Sequence, residues 1–484
     1  MRKFFFSLLK FSLLFVICFA YLNTIFTNKN TYAYTFDTYR EITKHNDIDI
    51  VFFGSSHSYT SYNPLIITKK TDAISYNLGA PALNIVNTDV LLKESLEYNT
   101  PKLVVIDIFE GTLKDLKSEK DKGYQLDALD RIPNTSISKI SVILKKYDAN
   151  EYLSVLFPLF RNHHLWKRQS YGRIKAKPPS GNEFVYSNGY RGYKQTLSAK
   201  DTQFFKGFKE KETEKKPYPI SKTAKEHLLN SIALAKSGGA EVLIITSPDL
   251  RVPYEKNSVG NALKKIADAQ GVPYIDLNNY YNELNLSLTD FMDSQHLNVE
   301  GATKVSEFLG DYIKNNYSFK TQNNAEILQN YHEKFEEFMM FHTIGKELQY
   351  GRKMHAVLNE FVTIDSVFVK KNKGNYSLQL SVKTSGEAKN WVDKYNMGLK
   401  IIPQESSKKY IAKKSVAVGW GFDKFDLKFP LEPNKTMYEF KFNTKIRDIK
   451  ELEISLYDSK VYNGIIGEKI QIQDLDFHSN VSNK

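Results

Sequence analysis

The stretch Ile48-Asp-Ile-Val-Phe-Phe53, followed directly by Gly54-Ser-Ser-His-Ser58, sets the expectation for the fold. Its first half is a short run of apolar, often β-branched residues, which is typical of a strand buried on both faces of a parallel sheet. Side chains that follow the carboxyl end of such a strand lie where α/β proteins place their sites. The sequence therefore predicts an α/β domain with serine hydroxyls at the end of its first strand.

Four further runs of this kind alternate with segments of helical periodicity. The predicted strands cover residues 73–78, 102–109, 241–246 and 272–276, and the predicted helices cover residues 84–98, 224–236 and 259–270, with a last helix after His296. This alternation predicts a mostly parallel sheet covered on both faces, a three-layer α/β/α domain over residues 31–320. Residues 113–221 break the pattern with a lysine-rich run and Pro178-Pro179, and they are predicted to form an insertion.

The periodicity changes in the last third of the chain. From Val362 onward, short segments alternate apolar and polar residues, as in Tyr376-Ser-Leu-Gln-Leu-Ser-Val382. This period of two, with turn residues between the segments, predicts a β-sandwich over residues 351–484. A segment with helical character over residues 321–350 is the predicted connector.

The first thirty residues predict a membrane anchor. Residues 4–26 are apolar apart from Lys10, two serines (Ser7 and Ser12) and Asn23-Thr24, and Arg2 and Lys3 precede them. A bilayer-spanning helix needs about 20 residues, so residues 1–30 are predicted to be an uncleaved signal anchor with its basic tip inside the cell. The bulk of the chain would then lie outside a bacterial cell membrane that it crosses once. A cleaved signal peptide is the alternative.

Composition narrows the function classes. The chain of 484 residues is 41% hydrophobic and 25% charged, which excludes wholesale disorder. Its single cysteine, Cys18, excludes an intrachain disulfide or a cysteine-based zinc site, and no HExxH spacing or phosphate-binding loop occurs, so no metal or cofactor is expected. The formal charge of +12 suits anionic envelope polymers or lipid headgroups, or simply solubility. No recognition motif for nucleic acid is present.

Two short motifs carry candidate chemistry. Ser56 follows the first predicted strand, and Asp293-Ser-Gln-His296 precedes the last predicted helix. An aspartate three residues before a histidine can bond to Nδ1 of its ring, which leaves Nε2 able to take a proton from a serine. Taken alone, Ser56 could equally cap a helix and His296 could be a surface residue. Their placement at the ends of one α/β unit favours a Ser-His-Asp triad.

This layout resembles the SGNH (GDSL-like) hydrolase superfamily over residues 45–318. In that family a Gly-Asp-Ser block follows the first strand, a glycine follows the second, and Asp-x-x-His precedes the last helix. The matching positions are Gly54-Ser55-Ser56, Gly79 and Asp293-Ser-Gln-His296. The resemblance implies that Ser56 is the nucleophile, His296 the base and Asp293 its orienter. It also implies that the backbone N–H groups of Ser56 and Gly79 stabilise the oxyanion.

The chain departs from the family pattern at two places. Ser55 replaces the aspartate, as in a branch resembling the alginate O-acetyltransferases and the teichoic acid D-alanylation protein, and Ser55 is itself an alternative nucleophile. The Gly-x-Asn-Asp block after the third strand is replaced by Asp107-Ile-Phe-Glu110. Arg191 is therefore a candidate third oxyanion donor. His57 is a candidate for contact with the acyl donor or acceptor, or is a loop residue without a role.

The resemblance implies an extracytoplasmic O-acyltransferase, most simply an O-acetyltransferase, that modifies a cell-surface polysaccharide. A membrane-embedded acyltransferase partner would supply the acyl group. Aromatic residues of the predicted sandwich could stack on sugar rings or could belong to its core; they are Trp391, Trp420, Tyr395 and Tyr410. Two alternatives stay open: an esterase that removes acyl groups from such a polymer, and a noncatalytic glycan-binding scaffold.

Overall fold

The protein is described by a computed structural model in two compact units, Met1–Phe335 and Glu336–Lys484. The structure describes residues 2–27, 48–114, 119–165, 188–205, 219–251, 258–319, 325–344, 348–359, 362–372, 375–384, 395–403, 426–432, 435–442, 449–458 and 465–473. The candidate chemistry lies in the first unit.

A parallel sheet of five strands forms the centre of the first unit. The strands are β1 Ile50–Phe53, β2 Ser75–Asn77, β3 Leu103–Asp107, β4 Glu241–Thr246 and β5 Tyr274–Asp276. They lie in the order β2-β1-β3-β4-β5, and every neighbouring pair is parallel. All residues of β1, β2 and β3 are buried, as continuous apolar runs predict. The predicted parallel α/β fold is confirmed.

Helices accompany the sheet throughout the first unit. The α-helices are α1 Arg2–Phe26, α2 Ser56–Ser61, α3 Pro64–Thr71, α4 Ile85–Leu96, α5 Glu119–Leu129, α6 Ile137–Lys146, α7 Tyr152–Leu156, α8 Pro158–Asn162, α9 Ala199–Phe205, α10 Lys222–Ser237, α11 Ser258–Gln270 and α12 Val299–Asn316. Short 3-10 helices cover Glu110–Leu113, His163–Leu165, Leu277–Asn279 and Leu288–Asp290.

Two pairs of helices indicate a layer on each face of the sheet. The connections from β1 to β2 and from β2 to β3 run in opposite directions across the sheet, so right-handed crossovers place α3 and α4 on opposite faces. Helix α3 packs against α12, and α4 packs against α10. The change of direction between β1 and β3 is the kind of switch point at which α/β proteins form their sites.

A close approach of backbones fixes the end of β1. A Cβ placed on Gly54 would come within 2.9 Å of the Asp107 carbonyl oxygen at the end of β3 and within 2.9 Å of the Ser58 Cβ. Only glycine therefore lets the chain leave β1 and enter α2 at this point. This turn sets the position of Ser56.

The apolar helix α1 is docked on the insertion. It is long and apolar enough to cross a membrane, as a signal anchor does. Near its C-terminal end, the ring of Phe19 packs edge-on against that of Phe157, with centroids 5.1 Å apart. The Leu159 N–H donates to Asn23 Oδ1 over 3.1 Å, and Asn162 Nδ2 donates to the Phe26 carbonyl over 3.0 Å.

The second unit is built from antiparallel strands. These are β6 Leu348–Asn359, β7 Val362–Asn372, β8 Asn375–Thr384, β9 Tyr395–Pro403, β10 Asp426–Glu432, β11 Lys435–Phe442, β12 Ile449–Asp458 and β13 Ile465–Gln473. They form one sheet of order β10-β11-β8-β7-β6 and another of order β13-β12-β9. The stacking of a sandwich stays a prediction.

Two other predictions for the C-terminal part concern the connector and the aromatic platform. Helix α13, Ala325–Ile344, lies within the predicted connector. Trp391, Trp420 and Tyr410 lie outside the described residues, and Tyr395 begins β9.

Candidate active site

Ser56 is the first residue of α2 and follows directly on the turn after β1. The preceding serine caps this helix: Ser55 is 1% exposed, and its Oγ accepts a hydrogen bond from the His57 N–H over 3.3 Å. The hydroxyl of Ser56 instead lies 2.8 Å from Nε2 of His296. Of the two neighbouring serines, Ser56 is therefore the one that meets the imidazole.

His296 is held on its other side by Asp293. Nδ1 of the ring lies 3.0 Å from Oδ1 and 2.9 Å from Oδ2 of Asp293. The carboxylate also accepts from the backbone N–H groups of Gln295 and His296, over 2.8 and 2.9 Å. Partial burial would raise the pKa of Asp293, but these hydrogen bonds outweigh it and hold the pKa below its ordinary value. Asp293 therefore stays ionised and fixes the Nδ1–H tautomer of His296.

The loop that carries Asp293 and His296 is held in place by backbone hydrogen bonds. Phe291 and Leu297 form an antiparallel bridge, and the Met292 N–H donates to the His296 carbonyl over 2.9 Å. Asn298 then caps α12 by accepting from the N–H groups of Glu300 and Gly301. The imidazole thus projects from a fixed turn between a short bridge and a capped helix.

His57 lies beside the serine and is 2% exposed. Its ring stacks on that of Phe109, with centroids 4.1 Å apart, and lies 5.0 Å from the ring of His296. Burial, reinforced by the nearby His296 and Arg251, holds the pKa of His57 well below its ordinary value. His57 is therefore neutral. A positive charge on this ring would oppose protonation of the neighbouring His296. Its Nε2 is buried without a hydrogen-bond partner among the described residues.

Gly79 follows β2 and packs against the turn that leads into Ser56. A Cβ on Gly79 would come within 3.0 Å of the Ser55 carbonyl oxygen, so the position needs glycine. Its N–H donates to Asn77 Oδ1 over 2.9 Å, and the same oxygen accepts from the Ser58 hydroxyl over 3.0 Å. The predicted oxyanion donor thus already has an acceptor, and it would serve an oxyanion only by sharing or exchanging that bond.

Arg191 contacts α2 through its backbone. Its N–H donates to the Tyr59 carbonyl of α2 over 2.8 Å, and its guanidinium carbon lies 5.3 Å from the centre of the Tyr193 ring. These contacts place the residue beside α2. Its role as an oxyanion donor stays a prediction.

A cation at this site that sequence analysis missed is Arg251. Its guanidinium forms a two-pronged ion pair with Asp249, with Nη2–Oδ2 and Nε–Oδ1 distances of 2.6 and 3.0 Å. It also lies 5.4 Å from the centre of the Phe109 ring, the ring on which His57 stacks. Its position in the sequence could have indicated a site residue. Residues 247–251 follow the carboxyl end of β4 just as Ser56 follows that of β1.

A small pocket opens between these residues. It has room for about one water molecule and is lined by His57, Phe109, Glu110, Thr246, Ser247, Asp249 and Val259. Its wall includes Phe109 and Glu110, which follow the end of β3. The pocket lies beside the ring of His57.

Asp107 is a buried carboxyl group beneath the site. Oδ1 accepts from the hydroxyls of Tyr62 and Ser247, over 3.0 and 2.6 Å, and from the Ser247 N–H over 3.1 Å. Burial nevertheless raises the pKa of Asp107 to about 7. Oδ2 is buried without a partner among the described residues. The carboxyl group therefore links the end of β3 to the chain after β4. Its hydrogen bonds do not offset the cost of burying its charged form.

Within the described part of the chain, no group of three or more His, Cys, Asp or Glu residues is placed to hold a metal ion.

Comparison with known proteins adds a distant structural similarity. No family model matches the chain, and no curated protein matches it in sequence. Among solved structures, it is similar to the crystal structure of a candidate acylhydrolase from Bacteroides fragilis, with 12% sequence identity and a TM-score of 0.29 over 57% of this chain and 93% of that chain. At this level of similarity, activity is inferred from the site geometry alone.

Proposed function

We propose that this protein is a serine acyltransferase that forms an acyl-enzyme on Ser56. The observation that carries the proposal is the 2.8 Å contact between Ser56 Oγ and His296 Nε2, with Nδ1 of the same ring held by Asp293. A hydroxyl, an imidazole and a carboxylate in this order are the elements of serine-based acyl transfer. The arrangement spans 240 positions of the chain, so it does not arise from local geometry.

The proposed reaction has two halves. As Ser56 Oγ attacks an ester or thioester carbonyl carbon, its proton passes to His296 Nε2. The tetrahedral intermediate then collapses, and the leaving group departs with that proton. In the second half His296 takes the proton of an acceptor hydroxyl as the acceptor oxygen attacks the acyl carbon. The second tetrahedral intermediate collapses with cleavage of its bond to Ser56 Oγ, and His296 returns the proton to that oxygen. Asp293 stabilises the imidazolium in both halves without taking a proton.

The surroundings of the imidazole support this cycle. A neutral His57 adds no positive charge beside the imidazolium that forms on His296. Ser56 is the first residue of α2, where backbone N–H groups have no partner within the helix. Its N–H is our first candidate for stabilising the oxyanion. Gly79 and Arg191 are the further candidates, with the Gly79 N–H shared with Asn77.

The finer proposal concerns the substrates. The apolar helix α1 supports work at a membrane surface, and the basic composition suits an anionic envelope. With the resemblance to SGNH O-acetyltransferases, these features support O-acetylation of a cell-surface polysaccharide outside a bacterial membrane. A membrane-embedded acyltransferase would then be the acyl donor, and the second unit, with Trp391 and Trp420, would bind the glycan.

Hydrolysis is the second candidate. The side chain of Asp293 is 45% exposed and that of His296 is 17% exposed, so solvent reaches the edge of the triad. Water that reaches the acyl-enzyme would complete an esterase cycle. The two activities share the first half-reaction and differ only in the acceptor.

The experiment measures both halves with the full-length protein in detergent. p-Nitrophenyl acetate serves as donor, intact-protein and peptide mass spectrometry locate the acetyl group, and defined oligosaccharides serve as acceptors. Acetyl-Ser56 followed by acetylated sugar supports the transferase, and acetyl-Ser56 followed by free acetate supports the esterase. If neither nitrophenol release nor acetyl-Ser56 is detected, both enzymes are excluded in favour of a scaffold.

A further inference from the structure

Helix α6 presents three apolar residues to the outside, although Ile143 is buried on its inner side. Its apolar residues Ile137 and Leu144 are 80% and 56% exposed, and Ile140, on the same face, is 37% exposed. In contrast, Lys139 of the same helix is only 1% exposed. A helix on a protein surface in water ordinarily shows the opposite arrangement. The outward face of α6 is therefore poorly suited to water.

Polar contacts fix this orientation. Lys139 Nζ donates to the Ile132 carbonyl over 2.9 Å and to Asn134 Oδ1 over 2.6 Å. Ser136 caps the helix by accepting from the Lys139 N–H over 3.1 Å. Turning the apolar face inward would leave the buried ammonium group without these partners. These contacts therefore hold the apolar face of α6 in its exposed position.

The exposed apolar residues continue toward α1. Helix α6 contacts α7, α7 contacts α8, and α8 contacts α1. Leu153 of α7 is 57% exposed and Phe160 of α8 is 44% exposed. The Phe160 ring also lies 5.9 Å from that of Phe19 in α1. We call these five residues, Ile137, Ile140, Leu144, Leu153 and Phe160, the interfacial face. At Phe160 this face meets the apolar helix α1.

The position of Phe19 along α1 sets the depth of this contact. The 25 residues of α1 extend over roughly 37 Å at 1.5 Å per residue, and the hydrocarbon core of a bilayer is about 30 Å thick. Phe19 lies roughly 10 Å from the C-terminal end of the helix. If α1 spans the bilayer, less than about 10 Å of the helix lies outside the hydrocarbon core. Phe19 and the Phe160 ring beside it therefore lie at the level of the outer leaflet.

We propose that the interfacial face rests in the outer leaflet of the membrane that α1 spans, with lipid as its occupant. Short amphipathic helices bind membranes by burying an apolar face at the boundary between headgroups and acyl chains. The inference rests on α1 being retained as an anchor, and it is independent of the chemistry at Ser56.

The test measures depth in a bilayer. The full-length protein, with its single cysteine changed by Cys18→Ser, is reconstituted into vesicles of phosphatidylethanolamine and phosphatidylglycerol. An environment-sensitive fluorophore is attached at Leu144→Cys or Phe160→Cys, and at Ala269→Cys as the control on an exposed position of α11. Nitroxide lipids labelled near the headgroup should quench the first two sites roughly twofold or more above the control, with blue-shifted emission. Equal quenching at all three sites overturns the proposal.

Two readouts in the same vesicles separate the possible failures. Carbonate extraction reports whether α1 is retained in the bilayer; extraction of the protein overturns the inference together with the anchor. Acetylation of Ser56 by p-nitrophenyl acetate reports the proposed function separately. Disulfide dimers of Leu144→Cys or Phe160→Cys without lipid quenching would assign the face to a second copy of the chain, which also overturns the proposal.

Discussion

The Ser56 hydroxyl and Nε2 of His296 lie 2.8 Å apart although 240 positions separate them in the chain. Ser56 begins the helix after the first strand of the sheet, and His296 stands just before the capped helix α12. Because consecutive parallel strands present their carboxyl ends at one edge, residues that follow different strands can meet there. This meeting is the basis of the first two predictions.

Substitution at the two neighbouring serines should separate catalysis from stability. We expect Ser56→Ala to abolish acetylation by p-nitrophenyl acetate with an unchanged unfolding midpoint, because the Ser56 hydroxyl is not the helix cap. Ser55→Ala should remain acylated but lose about 1 kcal/mol of stability, because it removes the cap of α2. Peptide mass spectrometry and calorimetry on the full chain measure both effects. Acetylation retained in Ser56→Ala would move the nucleophile elsewhere.

Asp293→Asn should slow the formation of the acyl-enzyme by roughly two to four orders of magnitude. The amide can no longer hold the Nδ1–H tautomer or stabilise the imidazolium on His296. Pre-steady-state release of nitrophenol measures the rate, and unchanged circular dichroism serves as the check on folding. A loss of less than tenfold would show that Asp293 does not orient the base.

His57 should make stability depend on pH at the acidic side of neutrality. Its folded-state pKa is lowered, so the unfolded chain binds the proton first as the pH falls through the ordinary value of 6.5. The stability that the neutral ring contributes above that pH is lost below it. Thermal unfolding from pH 7.5 to 5 should therefore show a steeper decline for the wild type than for His57→Phe. Parallel curves would mean that the ring is protonated in the folded state.

Asp107 should act in the opposite direction. Its pKa is raised from 3.8 to about 7, so its stabilising contribution is present below pH 4 and is lost as the pH rises to about 7. The shift corresponds to at most about 4 kcal/mol. Asp107→Asn keeps an acceptor for Tyr62 and Ser247 and cannot ionise. Between pH 5 and pH 8 the wild type should lose more stability than this variant in chemical denaturation. An identical loss in both would contradict the buried-acid assignment.

Much of the first unit could be predicted because buried parallel strands have a strong local signal. The runs around residues 50–53, 103–107 and 241–246 are mostly apolar on both faces, and their short length favours a buried strand over a helix. Glycine at position 54 marked the end of the first strand in the same way.

Contacts between side chains from distant segments could not be predicted. The stacking of His57 on Phe109 and the approach of Arg251 depend on how far three loops extend beyond the sheet, which no local pattern states. The bond from the Gly79 N–H to Asn77 depends on a side-chain torsion. In α6, periodicity shows which residues share a face, but it does not show whether that face packs on the core. Lys139 can lie on the buried side because the Ile132 carbonyl and Asn134 Oδ1 accept hydrogen bonds from its ammonium group.

The two hydrogen bonds that join Asn23 and Phe26 of α1 to Leu159 and Asn162 have a mechanical consequence. If α1 spans a membrane, these contacts would hold the first unit at a fixed distance from the bilayer surface rather than at the end of a flexible linker.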